Sequence, residues 1–571
     1  MKEKFKKLGL KPYGPVPSER QMEWYRREAT AFFHFGVNTF LDLEWGNGTE
    51  KEAWFNPTEL DCRQWIRVIK EAGFTAAILT AKHHDGFCLW PSKYSEHTVA
   101  QSPYKGGKGD VVREFVDACR EYQVKPGLYL SPWDRHSEYW GSDEYNIYYN
   151  NQLTELMTEY GQICECWWDG AGSTEANYDW GRWAYTVRAY QPKCIIFGSL
   201  GATEYVEARW VGNESGYAGN PCWATIDASS LLVENTSELN VGKPDGNRFI
   251  PAEVDVSIRP GWFYHKEQDH AVKSPQNLVK YWFESSGRNA GILLNFPPDR
   301  RGIIHEIDEA NVLEASRILK QTFAVNQLVG AKVTATTMRD PSCSPEKLLF
   351  KDNELFYASA KGDLNPVIIF KTKKEIEFDC LVVSEVIELG HRVRGYKVEA
   401  RVNNEWVCLV ENECIGFRWA ERFDRVSTNE VRLTITSAVA EPVLRSFGVY
   451  KMEEAKTEEI ASTTSPMNLM ELSTTQAIIS GNILEIEFGG IFPFDTLEIC
   501  PKAVKQYTFF IFNGTQYEAI CSGEQNENTQ IQEFEKQEGS YKVKLVFEPQ
   551  DGLNLADIKS GLGIKIYNKN P

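Results

Sequence analysis

For its first 320 residues this chain alternates short apolar runs with longer amphipathic ones, and no other feature restricts its fold as much. Ala31 to Val37 reads as a first strand. Asp61 to Ala72 has helical periodicity, opens on an Asp and stops at Gly73, and Phe74 to Thr80 is again a strand. Val111 to Tyr122 leads into a strand at Lys125 to Leu130, and a helix at Ile147 to Tyr160 leads into Ile163 to Trp168. Trp180 to Tyr190 precedes Cys194 to Gly198; Pro275 to Ser286 precedes Gly291 to Asn295; Ile307 to Phe323 closes the series. Repeated strand–helix units of this size predict an α/β fold, a (β/α)8-like barrel of the TIM type with functional residues at the C-terminal ends of its strands. The stretch from Trp210 to Arg259 is irregular and yields no strand assignment, so an irregular barrel is allowed.

After about residue 330 the pattern changes. Lys332 to Thr337, Val367 to Phe370, Cys380 to Val383, Tyr396 to Val402 and Val431 to Thr436 are short, β-branched and separated by turn residues, which predicts a β-sandwich. A Glu-, Ser- and Thr-rich linker from Met452 to Pro466 separates a further set of strands at Ile483, Thr508, Val543 and Gly563. The expected division is a catalytic barrel over 1–325, a sandwich over 326–452 and a second small β domain over 467–571. A chain of 571 residues is too long for a single core.

Fifteen of the 17 Trp and eight of the nine His fall before residue 310. Indoles and imidazoles concentrated together suit sugar binding, because pyranose C–H faces stack on rings while hydroxyls take polar partners. A net charge of −18, with no basic cluster beyond the opening residues, argues against nucleic-acid binding. No apolar stretch is long enough for a spanning helix, so no membrane insertion is expected. The charged, proline-containing N-terminus has no apolar signal core; the expected address is cytoplasmic, or periplasmic or secreted if a signal has been removed. Thirteen cysteines without CxxC spacing read as buried free thiols, with Cys164 and Cys166 on one strand face.

The run Glu165-Cys-Trp-Trp-Asp169-Gly-Ala171 ends a buried strand on a carboxylate walled by indoles, where barrels place catalytic acids and nucleophiles. The alternative is an Asp that caps the next helix. Four further segments fall where strands should end: Phe33-His34-Phe-Gly36, Lys82-His83-His84-Asp-Gly-Phe87, Tyr129-Leu-Ser-Pro-Trp-Asp134 and Arg209-Trp-Val-Gly-Asn-Glu214.

This ordered series, over roughly residues 20 to 320, resembles glycoside hydrolase family 29, the retaining α-L-fucosidases. The resemblance implies that Asp169 is the nucleophile, since a carboxylate can attack an anomeric carbon and later leave. The Glu214 motif resembles the branch active on α-1,3/1,4-linked fucose of Lewis-type glycans, which implies Glu214 as acid/base. Glu253 and Asp255 are the rival carboxylates, with Glu253 the stronger. His34, His83, His84 and Tyr129 match fucose-contacting positions, Glu44-Trp45 matches a Glu-Trp pair, and Trp262 is a candidate wall for the fucose methyl. The implied partner is a fucosylated oligosaccharide or glycoconjugate, with no cofactor and no metal. Two alternatives stand beside this reading: a fucose-binding protein that has lost catalysis, and a metal-dependent barrel hydrolase. Adjacent His83 and His84 argue against the latter, because neighbours in an extended strand point to opposite faces.

Overall fold

The computed structural model describes residues 2–171, 177–198, 202, 204–231 and 236–454, together with strand segments 476–480, 482–499, 504–512, 517–524, 530–549 and 565–567. The expected linker lies outside the described residues from 455 onward, as does Gly563.

Eight parallel strands close a barrel: β1 (Ala29–Phe33), β2 (Ala76–Lys82), β3 (Lys125–Leu130), β4 (Glu165–Trp168), β5 (Ile195–Gly198), β6 (Ala208–Trp210), β7 (Ala252–Ser257) and β8 (Gly291–Asn295). They pair in chain order, except that β8 closes onto β1. Alternation divides their side chains between two environments. Phe32, Ile78, Tyr129, Trp167, Phe197 and Leu293 point inward and pack together, with Trp167 stacked on Phe197 at 4.1 Å. Ala31, Phe33, Leu79, Leu128, Cys166, Trp168 and Ile196 point outward into the larger core beneath the helices.

Six helices of ten or more residues form the outer layer: α1 (Cys62–Glu71), α2 (Val111–Glu121), α3 (Asp143–Glu159), α4 (Trp180–Tyr190), α5 (Pro275–Glu284) and α6 (Glu306–Thr322). Asp61 starts α1 by accepting from the Arg63 and Gln64 amides. The cap of α4 is Asp179, which accepts from Arg182 N at 2.9 Å, so Asp169 is released from the capping role considered for it. The expected strand at Ala31 to Val37 ends early, at Phe33, because a short helix (Val37–Leu41) begins after Gly36.

The barrel is irregular between β5 and β7. Among the described residues no long helix follows β5, and the longest helix between β6 and β7 has six residues (Thr236–Val241), beside a small strand pair, Thr225–Ile226 with Arg248–Phe249. The outward face of β7, Ala252 and Val254, is buried against the sheet domain, in one core with Leu328, Leu381 and Trp419. That domain is a seven-stranded antiparallel sheet running from Lys332–Ala335 to Val443–Tyr450. Its two longest strands, Val367–Glu385 and Trp419–Ala438, pair through two register shifts. A separate six-stranded antiparallel sheet packs Leu484, Ile486, Phe509, Val543 and Leu545 into its own core. Twelve cysteines are described, all as free thiols and ten of them buried, as expected of small apolar residues. Among the described residues no helix is long and apolar enough to cross a membrane.

Candidate active site

The C-terminal ends of the barrel strands bring the expected residues to one mouth. On β4, alternation sends Glu165, Trp167 and Asp169 to the same inward column, with Asp169 last. Its Oδ2 accepts from Tyr129 Oη at 2.9 Å and its Oδ1 from Ala171 N at 2.8 Å, while a quarter of the side chain stays exposed. Both oxygens therefore have a fixed donor and keep a lone pair for chemistry. Burial first, and then the charge and hydrogen bond of Asp169, push the Tyr129 phenol well above its ordinary range, so it remains a donor.

Three histidines wall the pocket. His34 follows β1, and its Nδ1 lies 2.9 Å from Asn295 Oδ1. Since the amide oxygen only accepts, the proton sits on Nδ1 and Nε2 is an acceptor. His84 places Nδ1 2.7 Å from Ser131 Oγ, whose own proton goes to the Trp133 carbonyl; its Nε2 stands 3.8 Å from Asp169 Oδ2. Burial lowers His34 to about 3 and His84 to about 4, against the opposing pull of Asp169, and holds His83 well below its ordinary value. All three are neutral at physiological pH and can exchange hydrogen bonds with hydroxyls without repelling a developing cation. The chain turns directly after β2, so the His83 and His84 rings lie 4.1 Å apart on the pocket side. This corrects the expectation that neighbours there face opposite ways: the extended strand has ended by that point.

Glu214 lies beyond β6 on a turn that Asn213 closes by accepting from Ser215 N at 3.0 Å. Its Oε2 accepts from Trp262 Nε1 at 3.1 Å. Burial, with added repulsion from Asp169 and Glu44, raises its pKa to about 8, against the lowering effect of the indole bond. Trp262 also packs on His34, ring centroids 5.0 Å apart. Trp45 stands edge-on to His84 at 5.9 Å and to Trp133 at 5.7 Å. Glu44 is almost fully buried. It takes the Trp262 and Phe263 amides at 2.8 and 3.1 Å, and His265 Nε2 lies 2.7 Å from its Oε1. All nine expected residues thus join one contact network.

The ranking of the two rival carboxylates is reversed. Glu253 lies deep in β7 and accepts from the indoles of Trp24 and Trp167 at 3.1 and 2.9 Å, toward the floor of the barrel. Asp255, one inward position nearer the mouth, is the one that interacts electrostatically with Glu214 and Asp169. Burial, and then Glu214, drive its carboxyl well above the carboxylate range, and its buried Oδ1 has no hydrogen-bond partner among the described residues.

Asn295 and His265 were not foreseen. Asn295 is a polar residue ending an apolar strand, a signal available in the sequence; its Nδ2 also donates to the Trp262 carbonyl at 2.8 Å. His265 gave no such signal, because its partners Asp42 and Glu44 lie more than 200 positions away. Among the described residues, one trio of metal-capable side chains brings ligand atoms within 4.8 Å: Asp42, His265 and Glu267. Both ring nitrogens of His265 face carboxylates there, which leaves no lone pair for a metal.

Residues 11–322 match the family model described as Alpha-L-fucosidase. The chain is 37% identical over 451 residues to Alpha-L-fucosidase 1 of Arabidopsis thaliana, covering 77% of this chain and 88% of that one. An α-L-fucosidase candidate from Bacteroides thetaiotaomicron, solved as a crystal structure, is 48% identical with a TM-score of 0.77; the match covers 78% of this chain and all of that one. A Ruminococcus gnavus family 29 fucosidase, solved in complex with fucose, is 31% identical with a TM-score of 0.73, over 78% of this chain and 96% of that one. A closed parallel barrel with this strand-end site and these relatives leads to one assignment: the chain belongs to the α-L-fucosidases of glycoside hydrolase family 29.

Proposed function

We propose that this α-L-fucosidase is a retaining, exo-acting enzyme that removes α-1,3/1,4-linked fucose from branched, Lewis-type oligosaccharides. Asp169 is the nucleophile and Glu214 the acid/base. In the first step an Asp169 oxygen bonds to the anomeric carbon as the glycosidic C–O bond breaks, and the Glu214 proton goes to the departing oxygen. Whichever Asp169 oxygen attacks, the other keeps a donor, from Tyr129 or Ala171. In the second step Glu214, now ionised, takes a proton from water. The water oxygen displaces Asp169 and fucose leaves with its original configuration.

The observation that carries this reading is the contrast within the acid pair. Asp169 accepts two protein hydrogen bonds at a strand end, whereas Glu214 is held protonated up to about pH 8 by burial and neighbouring charge. The fucose seen in the Ruminococcus gnavus relative supports a fucosyl unit in the pocket. The linkage preference rests on the likeness of the Glu214 motif to the branch acting on Lewis-type glycans. The test is fucose release from Lewis a or Lewis x trisaccharide compared with α-1,2- and α-1,6-linked disaccharides. Comparable rates on all of them would refute the linkage assignment, and an inverted first product seen by NMR would refute the two-step mechanism.

A further inference from the structure

Glu44 lies in the mouth, yet its hydrogen bonds run to the protein. Its two oxygens hold the backbone N–H groups of Trp262 and Phe263. Residue 261 must be glycine for this approach, because a Cβ there would lie 2.3 Å from Glu44 Oε1. Asn295 holds the Trp262 carbonyl, so the backbone of this residue is fixed on both sides. Behind Glu44 sits the fully buried ring of His265, with Nε2 2.7 Å from Glu44 Oε1 and Nδ1 3.1 Å from Asp42 Oδ1. Two carboxylate acceptors on two ring nitrogens require a proton on each, which makes the ring an imidazolium. Burial opposes that charge, and the bonds and charges of Asp42 and Glu44 overcome it, raising the ring to about 9. Arg300 supplies a further cation at 3.3 Å from Asp42.

We propose that Glu44 and His265 are positioning residues for the acid/base: the His265 ring anchors buried Glu44, Glu44 fixes the Trp262 backbone, and the Trp262 indole orients Glu214. The last link selects an oxygen. Because the indole N–H is given to Glu214 Oε2, the proton of neutral Glu214 sits on Oε1, free to meet the leaving oxygen. Glu44 thereby serves proton transfer in addition to the fucose contact expected from its motif. The inference rests on Glu214 being the acid/base.

Leaving-group dependence separates the two roles. A fucosyl disaccharide needs its departing oxygen protonated, whereas α-L-fucosyl fluoride does not. His265→Gln should lower kcat/KM on the disaccharide by about 10- to 100-fold and leave kcat/KM on the fluoride within about 3-fold. Equal losses on both substrates, or no loss on either, would overturn the proposal. If His265→Gln does not fold, as judged by its melting transition, Asp42→Asn removes the carboxylate at the other ring nitrogen of His265, keeps the side-chain volume and carries the same prediction. Failure of the underlying reading looks different: a Glu214→Gln enzyme with undiminished kcat/KM on the disaccharide would remove Glu214 from the mechanism altogether.

Discussion

Two pairs of acids occupy this barrel, one at each end, and their surroundings differ. At the floor, Glu165 and Glu253 are fully buried. Arg27 Nη1 reaches Glu165 Oε2 at 2.5 Å, and the Trp24 and Trp167 indoles take the two oxygens of Glu253. At the mouth, Asp169 and Glu214 are partly exposed; Asp169 accepts from Tyr129 and Ala171, and Glu214 from Trp262. Burial raises an acid at both ends: Glu253 well above its ordinary value, with Glu165 adding repulsion, and Glu214 to about 8. Perturbed titration therefore does not mark the active site by itself. An acid pair sealed inside the barrel, tied to a guanidinium and two indoles, braces it. A pair with an open side can pass a proton to a substrate.

Substitutions at the two ends of the barrel should have different effects. The largest effect is expected from Asp169→Ala, which should lower kcat by about 10⁴-fold or more while leaving the melting temperature nearly unchanged; residual turnover within tenfold of the parent would remove Asp169 from its role. Next, Glu214→Ala should lose about 10²- to 10⁴-fold on natural substrate and regain part of it with azide, an anion that needs no general base. At the floor the effect should be on stability: Arg27→Met leaves Glu165 buried without its cation, at a cost of about 3 kcal/mol, read as a lower melting temperature. Its kcat per folded molecule should stay near the parent value, and a selective loss of kcat would mean that the floor takes part in chemistry.

The smallest effect joins the two properties. Glu214 has a folded-state pKa near 8 against an ordinary 4.5, so the folded protein holds a proton that the unfolded chain releases across that window. The group favours folding at low pH and opposes it increasingly as pH rises toward 8. Glu214→Gln should then stabilise the protein at pH 8.5 by about 1–2 kcal/mol, discounted for partial exposure, and change little at pH 4.5. For the parent enzyme, kcat/KM should fall as pH rises through about 8, because the required proton is lost.

The barrel was legible where its strands follow the ordinary pattern of apolar runs, as at Lys125–Leu130 and Gly291–Asn295, whose bounds match the expectation. It was illegible at β6 and β7 because polarity there is inverted. β7 carries Glu253, Asp255 and Ser257 inside the barrel, and β6 buries Arg209 on backbone carbonyls of Leu239 and Trp223. A strand with acids on its buried face reads as an exposed loop. The site was legible through strand-end motifs, each of them local. Pairings across the chain were not: nothing near Glu44 reveals His265, and nothing near Glu253 reveals Trp24.

On the proposed mechanism Asp169 forms an ester with the sugar. Treating the enzyme with 2-deoxy-2-fluoro-α-L-fucosyl fluoride should accumulate that ester, and peptide mass spectrometry should find one fluorofucosyl group on the peptide carrying Asp169, absent from Asp169→Ala. A label on Glu214, Glu253 or Asp255, or full turnover of substrate with no ester formed, would contradict the account.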